Sequence, residues 1–127
     1  MSGAADYTLA EYTLTVASTS VGASPVACMV TVPFDGELVE TQLATATAIT
    51  TTDSTVTVTV LPAGVVANSL TVGGTIVATV TGAGIGKNYS NMHTTNRFVS
   101  KGDTIRLTPA GGGGAGVIGV YTLRIRR

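Results

Sequence analysis

The chain of 127 residues reads as an all-β sandwich, and three observations predict this. The β-branched residues Thr and Val supply 23 and 17 positions, and such side chains fit a pleated, half-buried surface. Apolar and polar residues alternate with period two, most clearly in Thr55 to Val60, TVTVTV. Turn-forming Gly, Pro, Asn and Asp recur roughly every 8–12 residues, and no long stretch keeps a 3.6-residue period. About eight short antiparallel strands in one domain follow, arranged as a jelly-roll-like sandwich. On pattern alone an immunoglobulin-like sandwich remains the other arrangement.

Leu43 to Leu61, LATATAITTTDSTVTVTVL, is the centre of the pattern. Leu43 and Ile49 bracket alternating Ala and Thr. Thr50 to Ser54 supply turn chemistry, and Val56, Val58 and Val60 alternate with threonines. The expectation is a hairpin, which needs further strands to be stable. Before it, Met1 to Asp6 is a small, polar, flexible arm, so the domain spans residues 7–127. Tyr7 to Val16 is a strand with Tyr12, Leu14 and Val16 on one face. Pro25 to Pro33 is apolar on both faces, as expected for a central strand or one at a subunit contact. Pro33-Phe34-Asp35-Gly36 is a turn, and Glu37 to Leu43 follows as a strand with Val39 and Leu43 inward.

After the hairpin, Pro62-Ala63-Gly64 breaks the sheet, and short strands flank Gly73-Gly74. Thr81 to Thr95 is expected to be irregular, with His93 and Tyr89 in an exposed loop. Arg97 to Val99 is short and extended. Ser100 to Asp103 is a turn, Thr104 to Thr108 a strand, and Pro109 to Gly116 a glycine-rich loop. Val117 to Arg127 is the last strand, with Tyr121, Leu123 and Ile125 inward and Thr122, Arg124 and Arg126 outward.

Composition narrows function. Charged residues are 11% of the chain, against a typical value of about 25%. The surface is therefore dressed in Thr, Ser, Ala and Gly, either as a neutral exterior or as one covered by partner subunits. The net charge is zero, with no global pull toward nucleic acid or membrane. The charge is nonetheless split. Six acids and no base occur up to Asp53, and all seven bases lie from Lys87 onward. These halves pair either within the fold or between subunits. No apolar run reaches the ~18 residues of a spanning helix, and no basic segment followed by a hydrophobic run marks a secretory signal.

Candidate chemistry is sparse. One histidine, His93, and one cysteine, Cys28, do not make a zinc site, and Cys28 has no internal disulfide partner. Asp35 and Glu37 lack the spacing of a calcium loop. Gly82 to Lys87, GAGIGK, fails the Walker pattern and reads as a surface loop. No catalytic constellation, metal site or cofactor is expected, and the chain is read as a non-enzyme without a small-molecule substrate.

Four segments occur in a familiar order: VPFDGELVE (Val32 to Glu40), AITTTDSTVTVTV (Ala48 to Val60), GGTIVATV (Gly73 to Val80) and VSKGDTIRLT (Val99 to Thr108). Together, over residues 24–127, they resemble the small jelly-roll decoration or cement proteins of tailed-bacteriophage heads. The resemblance implies a homotrimer on the outer surface of an icosahedral shell, contacting the major capsid protein. It would be made in the host cytoplasm and reside in the virion. It brings no reactive residues to carry over. Interface candidates are the acidic turn, Asp35 and Glu37, and the basic end, Arg124, Arg126 and Arg127. The alternative is a glycan- or receptor-binding sandwich of a phage fibre or spike, carried by Tyr89 and the loops Thr81 to Thr95 and Pro109 to Gly116. A V-x-x-GD-x-I element like that of Val99 to Ile105 also occurs in carbohydrate-binding modules.

Overall fold

In the computed structural model, residues 10–80, 88–110, 113–114 and 116–127 are described below. The N-terminal arm, the Gly82 to Lys87 motif and part of the glycine-rich loop lie outside them. The strands are β1 (Glu11–Ser18), β2 (Cys28–Thr31), β3 (Gly36–Thr45), β4 (Ser54–Leu61), β5 (Leu70–Thr71), β6 (Ile76–Ala78), β7 (Asn88–Met92), β8 (Phe98–Val99), β9 (Thr104–Pro109) and β10 (Gly119–Arg126). Two single-turn 3-10 stretches, Pro62–Gly64 and Val66–Asn68, follow β4 where the sheet was expected to break.

Two antiparallel sheets pack face to face. The first runs β1-β10-β3-β7, with β8 on the same edge of β3 as β7; the second runs β2-β9-β4-β5, with β6 also on β4. Counting β5 with β6 and β7 with β8 as two broken strands, the ten segments make eight strands. The first strand pairs with the last, and most links cross from one sheet to the other. That is the jelly-roll order, not the immunoglobulin-like one.

The core lies between the sheets. Val56, Val58 and Val60 of β4 and Ile105 and Leu107 of β9 meet Leu38 and Leu43 of β3 and Tyr121, Leu123 and Ile125 of β10. The alternation predicted for β4, β9 and β10 is the alternation found. In β3 the pattern is interrupted. Ile125 pairs with Leu38 and Arg124 with Glu40, so Val39 is an extra residue, a β-bulge. Leu38 therefore shares the core face with Leu43, although simple alternation puts them on opposite faces. Val39 is buried but lies outside the main core cluster.

Other expectations are corrected. Leu43 to Leu61 is not a hairpin, because β3 and β4 belong to different sheets. Ala46 N donates to Ile118 O and Thr50 N to Gly113 O, so the linker runs along the segment before β10. Residues 46–53 are also longer than a tight hairpin loop. A hairpin and a crossover share one signature, alternation on both sides of a polar turn. Pro25 to Pro33 is not a central strand: β2 is an edge strand pairing only β9, and Met29 on its outer face is 59% exposed. Within Thr81 to Thr95, Asn88–Met92 is the strand β7, paired with β3.

Candidate interaction surfaces

The outer face of the first sheet carries a ladder of ion pairs. β10 lies between β1 and β3, so Arg124 stands across from Glu40 and Arg126 across from Glu11 and Glu37. Arg124 lies 3.5 Å from Glu40 and 3.6 Å from Glu11, Arg126 lies 3.2 Å from Glu11, and Arg97 lies 3.3 Å from Glu37. Every pair joins an acid of the N-terminal half to a base of the C-terminal half. For Glu11, Glu37, Glu40, Arg97, Arg124 and Arg126 the split charge of the sequence thus closes within the fold. Antiparallel pairing of β10 with β1 and β3, and of β8 with β3, brings it together.

Four of the five interface candidates, Asp35, Glu37, Arg126 and Arg127, line one open groove of about 450 Å³ at the end of this face. Arg124 does not line it and belongs to the ladder. Gly36 also lines the groove. A Cβ there would stand 2.7 Å from Arg126 O, so glycine is what lets β10 approach. Asp35 Oδ1 accepts from Lys101 N at 2.8 Å, which fixes the acidic turn against the Ser100 to Asp103 turn. The Arg127 guanidinium lies over the Phe34 ring at 5.4 Å, and Phe34 in turn packs on Tyr12 at 4.9 Å. Phe98 stands on the rim and is 72% exposed, with Arg97 6.0 Å from its ring centroid. The groove therefore offers one aromatic face, carboxylates and guanidinium groups. Phe98 escaped sequence reasoning because Arg97 to Val99 reads only as extended. Its outward direction follows from its pairing with Glu37, an outward residue of β3, which the sequence does not encode.

His93 and Tyr89 are not exposed loop residues. Tyr89 is buried at 8% exposure, and its hydroxyl donates to Thr79 O at 3.2 Å. That removes it from the surface expected to bind a glycan. His93 is 2% exposed. Its Nδ1 lies 3.0 Å from Gly73 O and its Nε2 2.7 Å from Thr41 Oγ1. A carbonyl can only accept, so Nδ1 carries the proton and Nε2 accepts from the threonine hydroxyl. The neutral ring ties β3 of the first sheet to the β5–β6 corner of the second. Burial lowers its pKa, opposed by the Gly73 hydrogen bond and by the charge of Glu40.

Cys28 is half-buried beside the core, and burial raises its thiol pKa. Tyr121 is fully buried, and its hydroxyl has no hydrogen-bond partner among the described residues. Burial, and then the neighbouring Cys28, hold its phenol far above the ordinary value. Among the described residues no three His, Cys, Asp or Glu side chains gather in a way that could hold a metal ion. Asp35 and Glu37 are engaged instead by the Lys101 amide and by Arg97. No helix among the described residues is long and apolar enough to cross a membrane. No known protein family matches the chain, and no curated protein matches it.

Proposed function

We propose that the chain is a capsid decoration protein, a homotrimer that binds the outer surface of a phage shell through the major capsid protein and stabilises it. On this reading its role is structural rather than catalytic, and it resides on the virion after synthesis in the host cytoplasm. The observation that carries the proposal is the makeup of its surface. Among the described residues twelve large apolar side chains, from Tyr12 to Val120, are exposed across several faces of an otherwise threonine-rich exterior. Such a surface suits broad, shallow contacts better than an enclosed ligand pocket. The segments Val32 to Glu40, Ala48 to Val60, Gly73 to Val80 and Val99 to Thr108 support the same reading by their resemblance to decoration proteins, as does the jelly-roll order.

The test has two stages. Light scattering of the purified protein is expected to give three times the 12.7 kDa chain mass. Undecorated shells of the phage that encodes the chain are then expected to take up the protein saturably and to resist heat better. A strict monomer with no affinity for shells refutes the proposal.

A second reading, a glycan- or receptor-binding module, is favoured by one observation, the exposed Phe98 ring beside Asp35, Glu37 and Arg127. Aromatic faces flanked by polar groups suit sugar rings. A glycan array with hits that Phe98→Ala abolishes supports this reading, and an array without hits removes it.

A further inference from the structure

The two sheets hold equivalent arginines with opposite surroundings. Arg124 lies in β10, the second strand of its sheet, and Arg106 lies in β9, the second strand of the other. Arg124 is flanked by acids on both neighbours, Glu11 of β1 and Glu40 of β3. Arg106 is flanked in register by Met29 of β2 and Thr59 of β4. Thr104 and Thr108 point the same way from its own strand, and Thr55, Thr57 and Thr71 extend the face across β4 and β5. Met29 and Val77, exposed at 59% and 41%, are its apolar members.

Arg106 is half-buried, and its Nε is buried without a hydrogen-bond partner among the described residues. The Nε of Arg124 also lacks a hydrogen bond, but two carboxylates lie within ion-pair range of that guanidinium. Among the described residues no carboxylate pairs with Arg106 in this way, and the described acids are all committed elsewhere. Glu11, Glu37 and Glu40 are in the ladder. Asp35, Asp53 and Asp103 accept from the backbone amides of Lys101, Val80 and Ser100. A cation at the centre of a neutral sheet face, with no counter-charge among the described residues, calls for one from outside.

We infer that the outer face of the second sheet is the docking surface for the capsid shell, with a carboxylate of the shell protein received by Arg106 and apolar shell side chains by Met29 and Val77. This rests on the decoration reading and deepens it by naming the face. A copy of the same chain fits less well. The carboxylates of the described residues are already engaged on their own fold, so a copy has none of these free to meet Arg106.

The test measures uptake by undecorated shells for the wild type, Arg106→Glu, Arg106→Lys and Thr122→Glu, the last at mid-sheet on the opposite face. Losing and reversing a desolvated pair is expected to weaken shell binding by at least about thirtyfold for Arg106→Glu. Arg106→Lys is expected to keep much of the affinity and Thr122→Glu all of it. Light scattering and melting temperature are expected to match the wild type in each, which separates docking from folding. Wild-type affinity in Arg106→Glu overturns the inference while leaving the decoration reading intact. Loss of the trimer in Arg106→Glu also overturns it, because the face is then a contact between copies. Absence of wild-type binding to shells overturns the decoration reading itself, and the inference with it.

Discussion

The two outer faces of this sandwich rest on one core and differ in how they handle charge. On the first sheet, each guanidinium of the β10 ladder meets a carboxylate on a neighbouring strand. On the second, threonines surround a single arginine. The ladder satisfies itself and remains half-exposed, as a solvated surface does. The threonine face has little charge to hold water or to keep a second protein away. Low overall charge, 11% of residues, is therefore not spread evenly. What differs between the faces is the residue opposite each arginine, and cross-strand register decides that.

The largest expected effect removes the ground that both faces share. Leu123 is fully buried in β10, at the centre of the core. Leu123→Ala is expected to cost about 2–5 kcal/mol in chemical denaturation. Both sheets should then lose stability together. Loss confined to one face would mean that the sheets fold more independently than their packing implies.

Next in size is the tie between the sheets. His93→Ala removes the bonds to Thr41 and Gly73 and leaves a hole where the ring was, at an expected cost of about 2–3 kcal/mol. The wild type should also show a pH dependence of its own. Burial lowers the folded-state pKa of His93 below the ordinary value of 6.5. Below that value the unfolded chain takes up a proton that the folded chain refuses, so stability falls with pH. The contribution is complete above pH 6.5 and is lost as pH drops toward the lowered folded value. His93 is the only histidine in the chain. A melting temperature that is flat through pH 6.5 in the wild type would show that the ring is not held neutral.

How legible this was in the sequence follows from what alternation encodes. It reports which side of a strand is buried, so Val56, Val58, Val60, Tyr121, Leu123 and Ile125 were readable as core. It does not report which strand lies alongside. The Leu43 to Leu61 segment looked like a hairpin, yet its two arms face one core from opposite sheets. A one-residue bulge at Val39 likewise hid Leu38, since parity before and after it disagrees. His93 and Tyr89 sat among Asn, Ser and Thr, which suggested a loop. Yet Asn88, Ser90 and Met92 are the outward residues of β7, while Tyr89 and Asn91 point in. The groove gathered Asp35, Glu37, Arg126 and Arg127, which the sequence marked as two charged ends. It could not show that Glu37 and Arg126 are held by partners of their own. Arg106 was missed because its meaning lies in Met29 and Thr59, far away in the chain.

The ladder should prove weak despite its regularity. Glu40→Gln removes one carboxylate from a pair whose arginine is about a third exposed. The expected loss is below about 1 kcal/mol and should shrink further in ~1 M salt. A larger, salt-insensitive loss would mean that the ladder organises the first sheet rather than dressing it.

The smallest effect on stability should come from the other face, where it sharpens the contrast most. Thr57 is a half-buried outward residue of β4, in register with Thr108. Valine has nearly the same shape and equal fitness for a strand, so Thr57→Val is expected to move stability by no more than about 0.5 kcal/mol. It also enlarges the apolar area between Met29 and Val77. If threonine hydroxyls are what keep this neutral face soluble in the absence of a partner, light scattering should detect concentration-dependent association in Thr57→Val. The matching change on the ladder face, Thr122→Val, should show none, because Arg124 and Glu40 stand beside it. Equal behaviour of the two variants would mean that charge, as distributed over these faces, does not decide which of them another protein can cover.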